Sequence, residues 1–229
     1  MRTESLDYLP GRRMDVYGEP VTSAVLLWHG RGADERVLLT DVARRVAAAG
    51  AFVMVPDWDS AVPDGGRAEL LASWELAQRL ADERLGRPDR LVLAGWSRGG
   101  RCAVSMALAG LVPSRRAVCL ASSYRTPDPV TGVGPSRLAE EATPGRTLEV
   151  WLAHGTLDDV VPASGARTFH ALLRAHGHRA HLEEAETDHA GIVGCAYDER
   201  LGASFPSASP RAVLGSSLAV AVLRRSAWL

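Results

Sequence analysis

Short apolar runs, each ended by glycine or a turn, alternate with longer stretches of helical spacing along the whole chain. Residues 21–30, VTSAVLLWHG, lack the in–out alternation of a half-solvated strand and stop at glycine, as a strand buried on both faces does. Residues 35–49 put Leu38, Leu39, Val42, Val46 and Ala49 on one helical side, with Gly50 as the stop. The pattern then repeats. Strands are predicted from Ala51, Leu91, Ala117, Leu148 and Ala180, and helices over 67–85, 100–111, 163–176 and 209–229. Parallel strands need long crossovers, so this order predicts a mainly parallel sheet covered by helices on both faces. Residues 12–17 are expected to add an antiparallel edge strand. The chain is expected to form one α/β domain over 1–229, since no repeat or long linker divides it. The loosest stretch is 125–146, rich in Pro, Gly and Ser, and it is too short to build a lid domain.

Composition removes several chemistries. The chain has 229 residues, 46% of them hydrophobic, enough for a sizeable core, and a net charge of -1, which offers nothing to nucleic acid or an anionic membrane. All 26 basic residues are arginine. Without lysine there is no Schiff base and no phosphate-loop lysine. The arginines read as compositional bias. Cys102, Cys119 and Cys195 lack metal-site spacing and read as reduced, buried thiols. The N-terminus has no apolar signal core, and the apolar run 212–223 is too short to span a bilayer. A cytoplasmic protein is expected.

The strongest chemical signal is Gly95-Trp96-Ser97-Arg98-Gly99, set between the apolar run LVLA and a small-residue helix. A serine at a sharp strand-to-helix turn is held strained with its hydroxyl above the sheet edge, and the glycines make room for the turn. Serine needs a base, and the base an orienting acid. Asp158 and Asp159 follow the strand at 148–155, and His189 lies in the loop after the next strand. Asp158 is the expected acid. Asp159 is the rival and is expected instead to cap the helix starting near Pro162, and Asp188 should point away from its neighbour His189. An oxyanion would be held by two backbone N–H groups, from Arg98 and from the His29-Gly30-Arg31-Gly32 loop, with Arg31 favoured and Gly32 second. His29 is expected to brace that loop.

Together HGRGAD (from His29), GWSRGG (from Gly95), HGTLDDVVP (from His154) and the loop around His189 resemble the signature segments of the α/β-hydrolase superfamily. They are similar to its small carboxylesterase, acyl-protein-thioesterase and dienelactone-hydrolase-like branches, over about residues 21–189. The opening LDYLPGRRMDVYGEP also resembles the start of kynurenine-formamidase-like esterases. The resemblance implies an α/β-hydrolase fold with no lid and a serine acyl-enzyme mechanism that uses no cofactor and no metal. The oxyanion segment is not HGGG, and the nucleophile is Ser where true dienelactone hydrolases carry Cys.

The expected function is hydrolysis of a small carboxylic ester. Thioester or amide cleavage by the same triad, and an idle binding module on the same fold, are the alternatives. The expected partner is a small-molecule ester, with no nucleic acid or membrane, for a monomer or homodimer. His176, His178 and His181 look like a metal cluster but are expected to be solvated surface residues. Trp28, Trp96 and Trp151 sit at strand ends, where they either line an acyl pocket or belong to the core or rim. Arg31 and Arg98 could attract an anionic substrate, an inference that an arginine-only composition weakens.

Overall fold

The computed structural model describes residues 2–19, 23–86, 88–141 and 146–227. Eight strands form the main sheet: β1 (Arg2–Leu9), β2 (Arg12–Tyr17), β3 (Ser23–Trp28), β4 (Ala51–Pro56), β5 (Leu91–Trp96), β6 (Arg116–Leu120), β7 (Glu149–Gly155) and β8 (Arg179–Ala185). Their order is β1-β2-β4-β3-β5-β6-β7-β8. The β1–β2 and β2–β4 pairs are antiparallel and the rest parallel. The helices are α1 (Thr40–Ala48), α2 (Arg67–Leu85), α3 (Arg98–Leu108), α4 (Pro135–Glu140), α5 (Ala163–Ala175) and α6 (Pro210–Ser226). Among the described residues no helix is long and apolar enough to cross a membrane.

The central strands are apolar throughout because each face meets a different helical layer. In β3, Ala24, Leu26 and Trp28 join a core with α2, α3 and α5 residues such as Leu70, Val104 and Phe169. Val25 and Leu27 join a second core with Val42 and Val46 of α1 and Ala219 and Leu223 of α6. The period-two alternation of side chains thus feeds two cores from one strand. Successive parallel strands deliver their C-terminal ends to one rim of the sheet, where ligands and catalytic groups collect in open α/β sheets.

The structure corrects several expectations. Residues 12–17 do form a strand, but β1 lies outside it, so β2 is not the edge. The start of the predicted strand at 21–22 lies outside the described residues, and β3 begins at Ser23. The predicted helix 35–49 is a 3₁₀ turn, Arg36–Leu39, followed by α1. The loose stretch carries α4, which opens on Pro135, a residue suited to the first helical turn. Its residues 142–145, like 228–229 of the predicted last helix, lie outside the described residues. A hairpin, β9 (Cys195–Asp198) with β10 (Ala203–Pro206), was not predicted at all.

Candidate active site

The turn after β5 is where the backbone is most constrained. Ser97 sits at φ 52, ψ -116, a left-handed conformation rare for a residue with a side chain. Its N–H still donates to the Leu120 carbonyl, 2.8 Å away, so the β5–β6 ladder holds the strained residue in place. Three glycines permit the turn. A Cβ on Gly95 would lie 2.2 Å from the Gly99 carbonyl carbon, one on Gly99 2.3 Å from the His29 oxygen, and one on Gly100 2.2 Å from Ser122 Oγ.

The histidine and the acid arrive from β8 and β7. His189 Nε2 lies 3.0 Å from Ser97 Oγ, and His189 Nδ1 lies 2.8 Å from Asp158 Oδ2. Asp158 is buried, while the His189 side chain keeps 13% of its surface exposed. Burial pushes the Asp158 carboxyl up. Hydrogen bonds from His154 and His189 and the His189 charge outweigh that, and hold it well below the usual carboxylate range. Asp158 Oδ1 also accepts the Val160 and Val161 N–H groups, at 3.0 and 2.8 Å. Asp158 therefore organises the turn before α5 itself. The expectation that Asp159 caps that helix is wrong: Asp159 is exposed, and the helix opens on Pro162 without a side-chain cap. Asp188 does point away from His189, accepting the Gly191 N–H at 2.8 Å.

Two supports were not legible in the sequence. The buried His154 lies with Nε2 3.2 Å from Asp158 Oδ2 and 2.8 Å from the Val161 oxygen, so its ring ties the acid to the turn. Trp96 Nε1 donates to the His189 carbonyl at 3.0 Å, and its ring centroid lies 5.4 Å from the imidazole. Trp96 thus holds the histidine. Trp28 is fully buried and donates to Ser73 Oγ, a core residue, and Trp151 stacks on His181.

The loop after β3 packs directly on Ser97: a Cβ on Gly30 would lie 3.4 Å from Ser97 Cβ. His29 is buried and braces the loop, accepting the Trp58 N–H through Nε2 at 3.3 Å and facing the Gly30 oxygen through Nδ1. Burial lowers its pKa to about 4, so the ring is neutral. The Gly32 N–H donates to Ser60 Oγ at 3.1 Å. The Arg31 N–H makes no hydrogen bond among the described residues. Arg98, the first residue of α3, has no intrahelical partner for its N–H.

Glu35 lies under this loop. A Cβ on Gly32 would approach its carboxyl to 2.8 Å, and Glu35 Oε2 is buried without a hydrogen-bond partner. Burial raises its pKa to about 7, with the His189 charge pulling it down. An acid whose folded pKa exceeds its unfolded value releases its proton on unfolding. Stability therefore falls as pH rises through the window from 4.5 to about 7. Glu35→Gln removes this penalty. Relative to wild type, the variant is expected to be more stable at pH 8 than at pH 5 by about 1 kcal/mol. Urea unfolding at the two pH values measures it, and an equal effect at both would contradict the assignment.

The three histidines expected to be solvated surface residues have different surroundings. His178 is buried and accepts the Leu148 N–H through Nδ1, which corrects its reading as a surface residue. His181 stacks on Trp151, and His176 is exposed. Among the described residues no group of His, Cys, Asp and Glu is arranged to hold a metal. The three cysteines are buried and free, as read.

No protein-family model matches the sequence, and no curated protein matches it. Solved structures do match the fold. A propionate-bound esterase from the planctomycete Thermogutta terrifontis superposes with a TM-score of 0.74 at 14% identity, covering 97% of this chain and 92% of the other. Esterase 2 of that organism phosphorylated by paraoxon gives 0.72 at 16%, covering 97% and 93%. Its butyrate-bound form gives 0.69 at 15%, covering 97% and 92%. At such identities the likeness establishes the fold, which is that of the α/β-hydrolases.

Proposed function

We propose that this α/β-hydrolase-fold chain is a serine hydrolase that cleaves a small carboxylic ester through an acyl-enzyme. The observation that carries the reading is the continuous chain Asp158–His189–Ser97, with links of 2.8 and 3.0 Å. In the reaction, Ser97 Oγ attacks the ester carbonyl while His189 Nε2 takes the hydroxyl proton. The anionic Asp158 fixes the Nδ1–H tautomer and stabilises the imidazolium. The new oxyanion is held by the N–H groups of Arg98 and Arg31. Of the loop candidates Arg31 is preferred because the Gly32 N–H is already engaged by Ser60. The carbon–oxygen bond to the alcohol then breaks, and His189 returns the proton to the departing oxygen. Water, deprotonated by His189, attacks the acyl-serine. The carboxylic acid leaves, and the proton goes back to Ser97 Oγ. The same reading makes the partner a small-molecule ester.

Short acyl groups fit this site best. Among the described residues of 125–146 one short helix forms, α4, and its Ala139 joins the α2/α3/α5 core. The structural neighbours were captured with propionate and butyrate. A long-chain pocket gains about 0.8 kcal/mol for each fully buried methylene. We therefore expect kcat/KM across acetyl, butyryl, octanoyl and palmitoyl esters of one alcohol to stop rising after butyryl. A steady rise to palmitoyl would contradict the short-acyl reading, and no turnover of any ester would contradict the esterase.

A further inference from the structure

We infer that Arg98 and Arg101 form a cationic subsite on the acyl side of Ser97, so that the preferred substrate is a half-ester of a short dicarboxylic acid. The inference rests on the esterase reading and adds the substrate class.

The two arginines stand three residues apart in the first turns of α3, where side chains at that spacing share a face. The N-terminus of a helix carries a partial positive charge, so two cations there are unfavourably placed without an anion. Among the described residues no carboxylate pairs directly with either. Arg101 is 92% buried, being only 8% exposed; its Nη1 donates to the neutral Ser123 Oγ at 2.9 Å, and its Nε is buried with no partner. Arg98 Nε is likewise buried and unpartnered. Elsewhere arginines pair with acids, Arg12 of β2 with Asp57 and Glu69 and Arg225 of α6 with Glu183. Among the described residues no carboxylate lies within ion-pair distance of Arg98 or Arg101. The nearby acid is Asp128, whose charge acts on Arg101. Its oxygens are already taken: Oδ1 accepts the Val130 and Thr131 N–H groups at 2.8 and 3.0 Å, and Oδ2 accepts the Thr131 hydroxyl. Burial lowers the Arg101 pKa, with the neighbouring Arg98 charge adding to the effect and Cys102 and Asp128 opposing it.

Position gives the subsite its role. The Arg98 guanidinium lies between the turn at Gly65 and the turn at Pro129: a Cβ on Gly65 would sit 3.3 Å from Arg98 Nη2 and 3.1 Å from Pro129 Cβ. Val130 belongs to the core of the α2/α3/α5 face, whereas Trp96 beside His189 belongs to the α1/α6 core. His189 protonates the departing alcohol, so the alcohol leaves on its side of the rim and the acyl chain extends towards the arginines. Guanidinium groups offer forked donors that match a carboxylate in two-point contact, which suits an acyl chain ending in an acid.

The test compares kcat/KM for monoethyl glutarate and ethyl pentanoate, esters of similar length that differ in the terminal charge. The wild-type ratio is expected to favour the half-ester by about tenfold to a hundredfold, the worth of one or two charge-assisted hydrogen bonds. The ratio should fall with added salt, collapse towards one in Arg98→Gln, and be partly kept in Arg98→Lys. The ratio is read because Arg98 also lends its backbone N–H to the oxyanion. Arg101→Gln should lower the ratio as well. If that variant fails to fold, competitive inhibition of the wild type by glutarate, but not by pentanol, gives the same answer. A wild-type ratio near one, or an unchanged ratio in Arg98→Gln, overturns the inference. Labelling of Ser97 by a fluorophosphonate in the same preparation separates the two levels. Labelling with a ratio near one rejects the cationic subsite alone, and no labelling rejects the esterase and the subsite together.

Discussion

Replacing Ser97 with alanine is expected to lower kcat by about four orders of magnitude or more while the protein stays folded. Ser97 Oγ is the only nucleophile within 3.0 Å of the His189 ring among the described hydrogen bonds, so no neighbour takes over its attack. Alanine keeps the Cβ that the turn already accommodates, and the N–H that pairs with Leu120 is unchanged. The thermal midpoint is therefore expected to stay within a few degrees, about the shift of a surface substitution. Activity within tenfold of wild type would remove Ser97 from the mechanism.

The second large effect separates two adjacent acids. Asp158→Asn is expected to lower kcat by about 10⁴-fold, and Asp159→Asn to change it by less than about twofold. Asparagine at 158 presents an amide to an imidazole N–H that now finds a carboxylate oxygen 2.8 Å away, so His189 is turned to the wrong tautomer or swung off the serine. The substitution also disturbs the contacts to His154, Val160 and Val161, so the variant is expected to lose stability as well as activity. Steady-state kinetics paired with urea unfolding distinguishes the two losses. A dead Asp159 variant beside an active Asp158 variant would put the acid one residue further on.

The arrangement of Ser97, His189 and Asp158 was readable because it is written in local chemistry. A glycine-flanked serine between an apolar strand and a small-residue helix has few uses, and the rim of a parallel sheet brings successive strand ends together. That logic put Ser97, Asp158 and His189 side by side, as the structure has them. What escaped depends on contacts between distant segments. His154 reads as a strand residue until the turn at 158–161 folds back on it. Glu35 reads as the start of a helix until the Gly32 loop covers its carboxyl. The helix cap assigned to Asp159 failed because Asp158 already occupies both N–H groups of that turn. The strand β1 was missed because its sequence, RTESLDYL, opens with four polar residues in a row and so carries little apolar periodicity. The hairpin β9–β10 was missed for a related reason: its four-residue strands are too short for a periodic pattern.

Covalent labelling reads the reactivity of Ser97 itself, with no substrate needed. A fluorophosphonate forms a stable phosphonyl ester only with a serine activated as a nucleophile, and digestion followed by mass spectrometry locates it. One adduct per chain is expected, on Ser97, formed by the wild type, lost in Ser97→Ala, and strongly slowed in His189→Ala, which lacks the base. An unlabelled wild type, or an adduct that persists on another residue in Ser97→Ala, would contradict it.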